Sequence, residues 1–128
     1  MATVHDNGRA RVLVVDDEPM VANAVRRLLR HDHDITIAAS GPEALALLRE
    51  GARFDVILCD LMMPQMTGMD LHAELAASIP DQAERLVFLT GGAFTQRARE
   101  FLDGTPHRRL DKPFDLAQLK QAISELVK

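Results

Sequence analysis

Short runs of aliphatic residues recur along the chain, and between them the apolar positions fall at helical spacing. Residues 11–15 (Arg-Val-Leu-Val-Val), 35–38 (Ile-Thr-Ile-Ala), 55–59 (Asp-Val-Ile-Leu-Cys) and 86–89 (Leu-Val-Phe-Leu) read as strands, with a fifth, shorter one within 107–111. Runs that are apolar at successive rather than alternate positions belong to strands buried on both faces of a parallel sheet. After the first strand, Val21, Ala24, Val25, Leu28 and Leu29 share one helical face and Pro19 suits a first turn, which predicts a helix over 19–31. Ser40-Gly41-Pro42-Glu43 has the form of a capping box, and Leu45, Leu47 and Leu48 carry a second helix to Glu50, with Gly51 as its stop. Residues 61–68 read as a loop punctuated by Pro64 and Gly68, before Leu71, Leu75 and Ile79 set a third helix. Phe94, Ala98, Phe101 and Leu102 mark a fourth closed by Gly104, and Asp115 with Gln118 caps a fifth bearing Leu116, Leu119, Ile123 and Leu126.

Strict strand–helix alternation predicts an α/β domain in which right-handed crossovers wind helices onto both faces of a five-stranded parallel sheet. The expected doubly wound order is the flavodoxin-like 2-1-3-4-5, whose chain reverses direction between the first and third strands. Polar residues at the carboxyl ends of those strands then share one edge. Asp16 and Asp17 follow the first strand, Asp60 the third, Thr90 the fourth and Lys112 the fifth.

The chain has 128 residues, enough for one domain with a substantial core, and its 47% hydrophobic content is that of a globular protein. Residues 1–10 are polar and read as a flexible N-terminal tail, leaving 11–128 as the folded domain. A net charge of -4 disfavours direct nucleic-acid binding. No apolar stretch approaches the roughly 20 residues of a membrane span, and the start lacks a signal peptide's apolar middle. The single cysteine, Cys59, cannot form an internal disulfide, so a reducing cytoplasm is expected.

Three carboxylates in one cleft repel one another unless they take up a proton or share a cation. Magnesium answers this best, because it takes oxygen ligands and retains waters that a phosphate can displace. Any one of these residues alone reads as a helix cap, Asp17 before Glu18-Pro19 in particular. Together, the spacing of 43 residues from Asp17 to Asp60, 30 to Thr90 and 22 more to Lys112, followed by Pro113, resembles the receiver domain of bacterial two-component response regulators. The likeness runs from about Arg11 to Val127.

The resemblance implies that Asp60 accepts a phosphoryl group from the phosphohistidine of a histidine kinase or histidine phosphotransfer domain. It assigns Mg²⁺ to Asp17, Asp60 and the Met62 main-chain carbonyl, with Asp16 acting through water. Thr90 and Lys112 would contact phosphoryl oxygens, Gly91 would leave room for the donor, and a cis bond before Pro113 would aim Lys112 inward. Its interaction surface would be the edge around the first and last helices. One position departs from the pattern: Arg109 stands where signalling receivers carry an aromatic residue that responds to the threonine. A neighbouring polar residue, Asp111, offers that arginine a partner. With no output domain expected within 128 residues, the chain resembles the receiver of a hybrid kinase or a free phosphorelay carrier. The sequence leaves oligomeric state open.

Two other classes compete. A haloacid-dehalogenase-like phosphohydrolase also uses Asp, Thr, Lys and Mg²⁺, but it places Asp-x-Asp after its first strand, where this chain has adjacent acids. A degenerate receiver acting only as a binding module would lack one of the five site residues. Cys59 and the methionines Met62, Met63, Met66 and Met69 read as core and loop filling, and His5, His31, His33, His72 and His107 as surface residues without metal-ligand spacing.

Overall fold

A computed structural model describes residues 9–91 and 95–127. Five strands, β1 (Arg11–Val15), β2 (Asp34–Ala38), β3 (Val56–Asp60), β4 (Leu86–Thr90) and β5 (Arg109–Asp111), form one parallel sheet in the order β2-β1-β3-β4-β5. The helices are α1 (Pro19–Leu29), α2 (Gly41–Arg49), α3 (Gly68–Ser78), α4 (Pro80–Ala83), α5 (Gln96–Gly104) and α6 (Leu116–Leu126). Doubly wound α/β architecture is therefore as expected. Among the described residues, no helix is long and apolar enough to cross a membrane.

Alternation along each strand divides the core in two. Leu13, Val15, Ile57, Cys59, Leu86 and Phe88 pack with Ala44, Leu45, Leu48, Leu71, Leu75 and Ala98 of α2, α3 and α5. Val12, Val14, Val56, Leu58, Val87, Leu89 and Leu110 pack with Ala22, Val25, Leu29, Leu119, Ala122 and Ile123 of α1 and α6. The three central strands are buried on both sides, which is why their sequences show no polar alternation.

Several local readings change. The third helix stops at Ser78 because Ile79 leaves helical backbone and Pro80 starts α4, an extra turn that the sequence reading merged into a connection. Its buried Gln82 holds the chain before β3, accepting from the Phe54 N–H at 2.9 Å and donating to the Phe54 carbonyl at 3.2 Å. Asp55 lies before β3 rather than in it, and its carboxylate accepts from the Arg11 N–H at 2.8 Å. The capping boxes that open α3 and α6, Thr67 with Asp70 and Asp115 with Gln118, are complete, whereas Ser40 contributes one bond, from the Glu43 N–H. Phe94, expected on the fourth helix, lies outside the described residues.

At the start of the domain, the expected tail ends earlier than residue 10. Arg9 pairs with Asp34 at 3.0 Å and donates to the carbonyls of His31, Arg30 and His33, while Ala10 is buried. Residues 1–8 lie outside the described chain. Three histidines read as surface residues are half-buried instead. His33 Nδ1 accepts from the Ala10 N–H, and the rings of His72 and His107, 5.0 Å apart, pack edge-on against Phe88. Burial, with His107 beside it, holds the His72 imidazole below its usual value.

Candidate functional site

The carboxyl ends of β1 and β3 bring Asp16, Asp17 and Asp60 together, with one carboxylate oxygen from each within 4.8 Å of the others. Parallel pairing of Val15 with Cys59 sets this convergence, since the residues following each pair emerge side by side. Asp16 and Asp60 are buried and Asp17 is exposed. Asp16 does local work as well: its Oδ1 accepts the Glu18 N–H at 2.9 Å, turning the chain into α1. The helix cap suggested for Asp17 is not made, because Glu18 is the N-cap residue and supplies no side-chain bond.

Lys112 reaches into the acids from the end of β5. Its Nζ lies 3.4 Å from Asp16 Oδ2 and 3.6 Å from Asp60 Oδ1, and its side chain is largely buried. The Lys112–Pro113 peptide bond is cis, and the Lys112 N–H donates to the Thr90 carbonyl at 2.6 Å, tying the end of β5 to that of β4. Gly91 sits against the lysine, where an added Cβ would lie 3.4 Å from Lys112 Cδ. Close packing also supports Asp60 from below. Gly68 begins α3 so tightly against it that a Cβ there would stand 2.8 Å from the Asp60 carbonyl oxygen.

Charge balance makes the cluster one that could hold a cation. Three carboxylates face one ammonium, leaving an excess that a divalent ion would neutralise. Without an ion, burial and then the charge of Asp16 push the Asp60 carboxyl up to about 6, against the opposing pull of Lys112 and the Met62 backbone bond. Met62 is partly exposed in the loop after Asp60, while Met63 and Met69 are buried in the core. Cys59 is fully buried, and burial pushes its thiol well up, so it is inert packing.

Thr90 makes a contact that the sequence does not announce. Thr90 is buried at the end of β4, and its hydroxyl donates to the Asp111 carboxylate. The cross-strand register pairs those two residues directly, a signal available only once the β4–β5 alignment is counted. Asp111 also lies 3.9 Å from the Arg109 guanidinium, and both side chains are substantially exposed.

Comparison with known proteins shows the family. A family model described as "Response regulator receiver domain" matches residues 12–124. The sensor kinase CckA of Brucella abortus is 36% identical over 123 residues, which cover 94% of this chain and 13% of that protein. A response regulator receiver domain from Clostridium thermocellum superposes with a TM-score of 0.80 at 29% identity, covering 92% of this chain and 94% of that one. The receiver domain of a sensor histidine kinase from Pseudomonas aeruginosa, with a magnesium ion coordinated in its active-site cleft, gives 0.79 at 25% identity over 93% of this chain and 98% of that one. The chain spans between 13% and 49% of the length of four curated relatives, so their whole-protein activities belong to longer proteins. A family match over nearly every described residue, with solved receiver domains superposing on 92% or more of the chain, places this chain in the response regulator receiver domain family.

Proposed function

We propose that Asp60 is the phosphoacceptor of this receiver, and that Asp17, Asp60 and the Met62 main-chain carbonyl hold Mg²⁺, with Asp16 acting through water. The observation that carries the reading is the Lys112 ammonium lodged between Asp16 and Asp60 in a cluster that still has excess negative charge. When bound, Mg²⁺ supplies charge neutralisation for the acids and for phosphoryl oxygens. An Asp60 oxygen attacks the phosphorus of a phosphohistidine. The P–N bond breaks, a P–O bond forms, and the imidazole departs to take a proton. Lys112 offsets charge on the transferring group, the Thr90 hydroxyl bonds one of its oxygens, and Gly91 leaves the donor's path open. The chain's chemistry is this self-phosphorylation followed by slow hydrolysis of the aspartyl phosphate to inorganic phosphate.

The donor is a histidine kinase or a histidine phosphotransfer domain in the cytoplasm. A groove of about 330 Å³ lined by Met20, Val21, Ala24, Leu28, Pro113 and Phe114 includes Lys112 in its wall, which supports a partner helix seated there with its histidine near the site. Met20 is 86% exposed, and its apolar side chain supports a protein partner; the net charge of -4 argues against nucleic acid. Exposed Arg109 in the aromatic position favours phosphorelay work over control of an attached output domain.

Intact-mass spectrometry with a small phosphodonor tests the assignment. One phosphoryl group is expected on the wild type with Mg²⁺, and none without Mg²⁺ or in Asp60→Asn. An adduct that persists in Asp60→Asn would overturn the choice of acceptor.

A further inference from the structure

In the unphosphorylated protein the Thr90 hydroxyl is already committed. It donates to Asp111, the residue opposite it on β5. A hydroxyl carries one proton, so Thr90 cannot donate to Asp111 and to a phosphoryl oxygen together. Leu110 packs into the α1/α6 core, so Arg109 and Asp111 fall on the other face of β5, the α5 side of the sheet. There the Asp111 carboxylate lies between two donors, the buried Thr90 hydroxyl and the exposed Arg109 guanidinium.

We infer that Asp111 is a positioning residue that holds the Thr90 hydroxyl off the phosphoryl site and releases it when the phosphoryl group arrives. The freed carboxylate then closes from 3.9 Å onto Arg109, a polar exchange where a rotating aromatic ring would otherwise stand. Three observations support the exchange. The hydroxyl has a single proton, the alternative donor is already beside the same carboxylate oxygen, and Asp111, with a side chain 71% exposed, has room to move. Nothing else in the receiver mechanism uses Asp111. This inference rests on the assignment of Asp60 as acceptor.

The test is an equilibrium titration with trifluoroberyllate, a tetrahedral mimic of the phosphoryl group, in saturating Mg²⁺. It is followed by ¹⁹F NMR in wild type, Asp111→Ala, Thr90→Val and the double variant, each confirmed folded by circular dichroism. Competition from a hydrogen bond of ordinary net strength, weakened by the exposure of Asp111, predicts that Asp111→Ala tightens binding about three- to tenfold when Thr90 is present. In the Thr90→Val background the same substitution is expected to change affinity less than about twofold, because no hydroxyl is left to release. An equal gain in both backgrounds would reduce Asp111 to a repulsive charge and overturn the proposal, as would no gain in either. The Arg109 Nε–H resonance is expected to shift on mimic binding in the wild type, and an unmoved resonance would refute the handover to Arg109. No mimic bound to the wild type at all would strike at the Asp60 assignment itself, a result distinct from either failure.

Discussion

Asparagine at position 60 is expected to stabilise the metal-free protein, by a margin that grows as pH rises from about 4 to about 6 and is constant above. Burial and the Asp16 charge raise the folded Asp60 carboxyl from 3.8 to about 6. A carboxyl that binds its proton more tightly when folded makes stability fall as pH rises between those two values. Two units correspond to about 3 kcal/mol, and solvent at the open edge of the site reduces this to about 1–2 kcal/mol. For a domain of this size that is roughly 4–8 °C in Tm. Urea unfolding followed by circular dichroism suits a chain without Trp or Tyr. In chelator, Asp60→Asn is expected to exceed the wild type by that margin at pH 7.5 and to converge with it at pH 4. Magnesium at a hundredfold excess over its Kd adds about 2.7 kcal/mol to the wild type and little to the variant, reversing their order. A variant no more stable than the wild type at pH 7.5 in chelator would refute the electrostatic account of the site. So would an advantage independent of pH.

Gly68→Ala forces a Cβ against the Asp60 carbonyl and the Leu61 backbone, and is expected to cost about 1–3 kcal/mol by chemical unfolding and to weaken Mg²⁺ binding. Met20→Asp places a charge in the lining of the apolar groove and is expected to slow transfer from a phosphohistidine protein about tenfold more than transfer from a small donor. Cys59, with no exposed surface, is expected to resist thiol reagents in the native protein and to react once in urea, read by mass.

Much of this protein was legible in one dimension. Unbroken apolar runs such as Val12 to Val15 and Val56 to Cys59 announce strands buried on both faces, and the acids that end them converge once the sheet is doubly wound. Capping residues such as Asp115 state where a helix begins because their bonds span three residues. What escaped the sequence depends on partners far apart along the chain. Gln82 fastens Phe54 across 28 residues, and His72 and His107 are sheltered by each other and by Phe88. Asp111 looked like a surface acid awaiting an arginine, yet it also holds the hydroxyl of Thr90, 21 residues away. The order of elements and the identity of the reactive groups follow from local pattern, since hydrophobic period and residue type are properties of the chain itself. Which proton donor each carboxylate holds follows from strand register and packing, which exist only after the sheet has assembled.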